Sequence, residues 1–326
     1  MRILVLTTAP RQPDNHLLWE GLREFADVEI HYFSKQEQKS LGAVLSRFDF
    51  SLYDRVICDL LFRYLVRQRR VLSRISGLLI YEEDACQEFI EGSKWEGAFS
   101  TFYLKVPNAR IVLTGFQVCQ KFQEMGVDAH FLPKGFDSSK LYNMGLERDI
   151  PLGFVGRLDS DTYKQRREFL QRAEKKFGLQ ILRTEPGDEY RKLLNRIKIF
   201  VSADIGLGEY MAKNFEAMAC GCVLLAFKQG CGEEEALGLE SGIHWLLYEG
   251  QEQFELFVEM LMTDTGLSDA LACAGQMEAK QRFDYSAQAQ SLFSLLALPS
   301  GPALKRMSLW QRLLGLKFQM GGHRGN

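Results

Sequence analysis

One pattern limits the folds open to this chain more than any other. Short apolar runs of strand length alternate with segments of helical spacing, and the series occurs twice. In the first series RILVLTTAP (2–10), VEIHYF (28–33), DRVICDL (54–60), GLLIYEEDA (77–85), ARIVLTG (109–115) and AHFLPKGFD (129–137) read as strands running into loops. HLLWEGLREFA (16–26), residues 61–75 and QVCQKFQEMG (117–126) read as helices between them. Apolar strands separated by helices make a parallel sheet covered on both faces. NMGLERDIP (143–151), polar and carrying Gly and Pro, breaks the series and reads as a linker. The pattern then restarts with strands at 151–157, 179–183, 198–204, 222–227 and 245–249 and helices at 163–178, 188–197, 209–221 and across 251–297.

The expected fold is therefore α/β, two Rossmann-like doubly wound domains facing a cleft. Residues 1–142 form the first and 151–297 the second, with 143–150 between them. LPSGP (298–302) precedes a last helix, so 298–326 is expected to cross back to the first domain or to touch a membrane. A chain of 326 residues is long enough for two such cores. Hydrophobic residues at 46% and charged residues at 25% fit a globular protein in water. A net charge of −2 offers no bulk attraction for nucleic acid. Seven cysteines in apolar contexts suit a reducing, cytoplasmic setting better than a disulfide framework. MRILVLTTAP reads as a first strand rather than a leader, and no uncharged run approaches the ~18 residues of a membrane span.

Ligands of doubly wound sheets bind at the carboxyl ends of strands. Two stretches place chemistry there. In NFEAMACGCVLLA (214–226), Glu216 sits in a helix expected to start near Glu209, after the glycine-bearing loop DIGLGEY (204–210). A helix N-terminus favours an anion, and a carboxylate one to two turns in can accept hydrogen bonds from a ribose diol. A solvent-facing helical glutamate is the plain alternative. In GFVGRLDSDTYKQRREFL (153–170), Gly156 and Arg157 end a strand, and Lys164, Arg166 and Arg167 open the next helix. Cations oppose the dipole at a helix N-terminus, so a bound phosphate is one reason for them, a solvated basic face the other.

These stretches carry a resemblance. FVGRLD and FEAMACGCVLLA, with FLPKGFDSSKLY (131–142) in the first half, are similar in order and spacing to the signatures of GT-B glycosyltransferases of the family 4, or group 1, type. The basic residue shortly before Phe215-Glu216 looks closer to the CgeB-like branch. Two positions depart from the pattern: Gly208 stands where the first signature glutamate is usual, with Glu209 one residue late, and Thr162 where a phosphate-binding lysine is usual. The resemblance implies transfer of a sugar from a nucleotide-diphosphate donor to a hydroxyl of a saccharide or lipid-linked acceptor, in surface polysaccharide or lipopolysaccharide assembly. It implies diphosphate contacts from Arg157, Lys164 or Arg166, and Lys213, and ribose and sugar contacts from Glu216, Glu209, Tyr210 and Asn214. It also implies a metal-independent reaction with no cofactor beyond the donor. No His, Cys or Asp set has metal-ligand spacing; Cys220-x-Cys222 and nearby Cys231 lack partners.

The first half is expected to hold the acceptor and, for an inverting reaction, a base. His16, at a helix start, and Asp84, at a strand's carboxyl end beside Glu82 and Glu83, are the candidates. Crowding of the three carboxyls is expected to raise at least one of their pKa values. LLFRYLVRQRRVLSRIS (60–76) carries five arginines among apolar residues and reads as a basic amphipathic helix, suited to an anionic membrane surface or to a solvated face over a core. The tail around Trp310 has the same two readings. A GT-B nucleotide-sugar epimerase and a non-catalytic nucleotide-sugar-binding homologue are the alternative functions. A dinucleotide oxidoreductase is disfavoured, because the first strand lacks the Gly-x-Gly-x-x-Gly turn.

Overall fold

Eleven strands form two all-parallel sheets in the computed structural model, which describes residues 1–9, 12–158 and 164–298. The first sheet contains β1 (Arg2–Thr8), β2 (Asp27–Phe33), β3 (Arg55–Asp59), β4 (Leu78–Glu82), β5 (Arg110–Leu113) and β6 (Ala129–Phe131) in the order β2-β1-β3-β4-β5-β6. The second contains β7 (Ile150–Val155), β8 (Gln180–Leu182), β9 (Ile197–Ser202), β10 (Val223–Phe227) and β11 (Leu246–Tyr248) in the order β11-β10-β9-β7-β8. The central strands are buried end to end, as β4 and β5 show, because helices cover both faces of each sheet. In each sheet the strand order reverses beside its first strand, between β1 and β3 and between β7 and β9. At such a reversal the flanking helices part and leave a crevice at the carboxyl ends.

The chain crosses between the domains twice, and the two crossings are hydrogen-bonded. Phe136 N donates to the Phe283 carbonyl at 2.9 Å, and Tyr285 N to the Phe136 carbonyl at 3.0 Å. Gly135 is required there: a Cβ would stand 2.6 Å from the Phe283 carbonyl oxygen. The second crossing corrects the expected domain boundary. The Tyr285–Ala297 helix, assigned from sequence to the second domain, packs on the first. Tyr285, Ala289, Leu292 and Leu296 are buried against Leu18, Trp19 and Leu22, and Arg55 and Arg110 donate to the Leu296 and Leu295 carbonyls at its end. Full burial of each leucine stabilises this docking by about 1.5–3 kcal/mol. The expected crossing or membrane contact by residues 299–326 lies outside the described residues.

The basic segment is not the single helix its spacing suggested. It is broken into Phe62–Leu65, a 3-10 turn Val66–Gln68, and Arg69–Leu72. Phe62, Leu65, Leu72 and Ile75 belong to the core, while Arg63, Arg67, Arg69, Arg70 and Arg74 are exposed. This is the pattern of a solvated basic face over a core, one of the two readings its sequence allowed. No helix among the described residues is long and apolar enough to cross a membrane.

Candidate functional site

A cavity of about 730 Å³ lies between the domains, at the carboxyl ends of β7 and β9. The first domain lines it with Asp14, Glu83, Asp84, Lys134 and Asp137. The second supplies Gly156, Arg157, Arg166, Asp204, Lys213, Asn214, Glu216 and the Arg183–Gly187 loop that follows β8.

The wall on the second domain is built around Asp204, which is buried just after β9. Its Oδ2 accepts from Met211 N at 3.1 Å, Asn214 Nδ2 at 2.8 Å and the Ser202 hydroxyl at 3.1 Å. Its Oδ1 accepts from Arg166 at 2.9 Å, and Arg166 Nε donates to the Ala203 carbonyl at 2.7 Å. Because Asp204 takes the Met211 N–H, the helix begins at Ala212, not near Glu209 as the spacing suggested. Gly206 and Gly208, with φ of +77° and +68°, turn the chain ahead of it. Lys213 and Glu216 are therefore in the first two turns, three residues apart on one face.

Lys213 Nζ reaches the end of β7 and donates to the Val155 carbonyl at 2.9 Å. Gly156 makes room, since a Cβ there would stand 2.9 Å from that nitrogen. Burial pushes the lysine's pKa down, Glu216 and Asp204 work against this, and Arg166 and Arg157 add to it. Arg157 is exposed at the cavity edge. Glu216 Oε2 accepts from the Tyr190 hydroxyl at 2.5 Å, and burial raises its carboxyl above the ordinary range. A partly desolvated ammonium, a helix N-terminus and a carboxylate one turn later form a site for an anion beside a diol.

Of the residues singled out in the sequence, Arg157, Arg166, Lys213, Asn214, Glu216 and Asp84 line this cavity. Arg166 lies there as a buried partner of Asp204 rather than a free cation. Lys164 is exposed at its helix start and outside the lining. Glu209, expected against the sugar, instead makes a buried interdomain ion pair with Lys134, Nζ to Oε2 at 2.6 Å, with Thr114 Oγ1 3.0 Å from the same oxygen. Tyr210 is core: it packs on Trp245 and donates to Glu234 at 2.6 Å. Lying before the helix start, neither residue follows the helical phase that would have aimed it at the cavity. His16 also stands outside the lining, with Tyr32 bonded to its Nδ1 and Glu20 3.9 Å from its Nε2. The cause is Asn15, whose non-helical φ of −123° breaks the helix while its amide donates to buried Asp59 at 2.8 Å. Asp14 faces the cavity in place of His16.

Glu82, Glu83 and Asp84 have different surroundings: Glu82 accepts the Asp84 N–H at 2.9 Å, Glu83 accepts from Tyr81 at 3.1 Å, and Asp84 is exposed. Sequence reasoning singles out neither Tyr190, Asp204 nor Lys134, although Asp204 and Lys134 lie in the quoted stretches DIGLGEY and FLPKGFDSSKLY. Among the described residues no group of three His, Cys, Asp or Glu is placed to hold a metal.

A second interdomain contact titrates. Glu233, buried, accepts Gln117 N at 2.9 Å across the domain boundary. Desolvation, against that hydrogen bond and with Glu209 nearby, pushes its carboxyl up to about 8 from an ordinary value of 4.5. The folded protein thus prefers the neutral acid. Its contribution is complete below pH 4.5 and is lost as pH rises to about 8. Relative to Glu233→Gln, wild-type unfolding free energy should fall by up to about 1.4 kcal/mol per pH unit across that window. Urea titrations of both proteins at pH 5, 6, 7 and 8 check it, and a constant difference would refute it.

The sheet orders, the paired crossings and the interdomain cavity are those of a GT-B fold. Residues 154–294, which carry most of the Asp204–Glu216 wall, match the glycosyl transferase-like family. Three solved structures share the fold. Anabaena Alr3699/HepE in complex with UDP-glucose is 16% identical, with 91% of this chain and 99% of that chain covered and a TM-score of 0.62. Sucrose-phosphate synthase from Thermosynechococcus elongatus is 12% identical, with 97% and 100% covered and a TM-score of 0.63. An alpha-glucosyltransferase in complex with UDP-glucose and DNA containing an abasic site is 13% identical, with 91% and 100% covered and a TM-score of 0.57. No curated protein sequence matches the chain significantly.

Proposed function

We propose that this protein is a metal-independent glycosyltransferase. It moves a sugar from a nucleoside-diphosphate donor to a hydroxyl of a saccharide or glycolipid acceptor, as in surface polysaccharide or lipopolysaccharide assembly. The observation that carries this reading is the Lys213–Glu216 pair on one helix face at the β7–β9 crevice, a cation for the diphosphate followed by a carboxylate for the ribose. As the bond to the anomeric carbon breaks, negative charge grows on the leaving diphosphate. Lys213, Arg157 and the N-terminus of the Ala212–Ala219 helix stand at the same cavity and would stabilise that charge. The acceptor enters from the first domain, where Asp84 is exposed at the cavity and could take the hydroxyl proton in an inverting reaction. A non-catalytic nucleotide-sugar-binding protein is the second reading, favoured by the commitment of Glu209 to Lys134; turnover of a donor would exclude it.

The test is a thermal-shift panel of UDP, GDP, dTDP, CMP and ADP on wild type and Glu216→Ala. A ligand at ~100 times its dissociation constant should add ~2.7 kcal/mol of stability. One diphosphate is expected to stabilise the wild type, and Glu216→Ala much less. An equal shift in both proteins would remove Glu216 from the site, and no shift with any nucleotide would remove the donor reading.

A further inference from the structure

Tyr190 stands on a helix that no motif marks. The chain from Lys140 to Asp149, which ends the first domain and forms most of the linker, fastens that helix, Asp188–Arg196. Asn195 Nδ2 donates to the Tyr142 carbonyl at 3.0 Å, and its Oδ1 accepts from Met144 N at 2.6 Å. Arg191 donates to the Lys140 carbonyl at 3.1 Å, and Arg196 pairs with Asp149 at 2.5 Å. From this fixed support the Tyr190 hydroxyl reaches the neighbouring Ala212–Ala219 helix and donates to Glu216 Oε2 at 2.5 Å. Both side chains line the cavity, and among the described residues Tyr190 is the hydrogen-bond partner that Glu216 has.

We propose that Tyr190 is a positioning residue for the ribose-binding carboxylate, holding Oε2 so that Oε1 is presented to the ribose diol. The inference rests on the donor site proposed above. A glutamate has three side-chain torsions, and a free one must be immobilised when the ligand arrives. A short charge-assisted bond from a rigid phenol removes that freedom beforehand, so less affinity is lost to ordering. The same bond favours the ionised carboxyl against its burial. Burial raises its pKa, Tyr190 and Lys213 lower it, and Asp14 from the first domain raises it. Cys220, at the C-terminal end of the same helix, is a further titratable neighbour among the described residues. An ionised carboxylate accepts from ribose hydroxyls through either oxygen, whereas a protonated one gives up part of that capacity.

Tyr190→Phe removes the hydroxyl and keeps the ring, so it probes the bond rather than the packing. The experiment is isothermal titration of wild type, Tyr190→Phe, Glu216→Gln and the double variant with UDP and 2′-deoxy-UDP. GDP or ADP and their 2′-deoxy forms are used where the panel selects those bases. Tyr190→Phe should weaken the diphosphate about tenfold. In the Glu216→Gln background the same change should alter affinity by less than about twofold, because the residue acts only through that carboxylate. Loss of the 2′-hydroxyl should cost less in Tyr190→Phe than in wild type. The acid limb of the affinity–pH profile should move to higher pH in Tyr190→Phe. Equal penalties in both backgrounds, or wild-type affinity in Tyr190→Phe while Glu216→Gln binds weakly, would overturn the proposal. Wild-type affinity in Glu216→Gln would instead overturn the ribose reading, and the proposal with it.

Discussion

Lys134→Met should lower the free energy of unfolding by about 3–5 kcal/mol, the usual cost of leaving one member of a buried ion pair uncompensated. Lys134 and Glu209 are 5% and 1% exposed, so water cannot replace the lost partner. Lys134 Nζ lies 2.6 Å from Glu209 and 2.8 Å from Thr114, and Gly115 backs directly onto the Glu209 side chain. Burial is the largest single influence and works against the ammonium, but the charge and hydrogen bond of Glu209, with Cys86 and Asp84, together outweigh it, and the lysine's pKa ends above its ordinary value. The pair joins the loop after β6 of one domain to the loop after β9 of the other. Its loss therefore also weakens the domain contact. The double variant Lys134→Met/Glu209→Leu should regain most of the loss, because an apolar pair of similar size carries no desolvation penalty. Chemical denaturation followed by circular dichroism and by tryptophan fluorescence reads both proteins, and the two probes also show whether the domains unfold together. A single-variant cost below about 1 kcal/mol would mean that the pair is not buried as described.

The second large effect is on ligand binding. Lys213→Met should weaken a nucleoside diphosphate by about 2–4 kcal/mol, roughly thirtyfold to a thousandfold, while leaving the parent nucleoside within about twofold. The contrast follows from position: Lys213 stands at the end of β7 with its ammonium partly desolvated, and Glu216 stands a turn further along the helix. The affinity ratio of UDP to uridine, measured by titration calorimetry, separates the two. Equal losses for both ligands would place Lys213 under the ribose or base instead of the diphosphate. An unchanged UDP affinity would remove it from the site.

The sequence was most readable where chemistry follows directly from local order. A parallel strand ends in a loop at its carboxyl edge, so Gly156-Arg157 and Asp84 were expected at strand ends from local order, while Lys213 and Asn214 came only from the family resemblance; all of them, with Glu216, line the cavity. The same reasoning misplaced Glu209 and Tyr210. Helical periodicity carries no mark of which side chain stops a helix, and here Asp204, seven residues before Met211, does so. His16 was misplaced for a similar reason, because Asn15 follows a hydrogen bond to Asp59, 44 residues away, instead of the helix phase.

By itself the sequence determined the α/β class and the two doubly wound sheets with their order of strands and helices. Alternation of apolar runs with helices is a short-range property, and burial on both faces of a sheet requires it. Only the tertiary structure decided which charges remain available to a ligand. Lys134 meets Glu209 across 75 residues, Arg166 meets Asp204 across 38, and Tyr190 meets Glu216 across 26. A charge neutralised by a buried neighbour and a charge facing an open cavity are the same letter in a sequence. They differ in the distance to their partners and in the water excluded around them, and packing sets both.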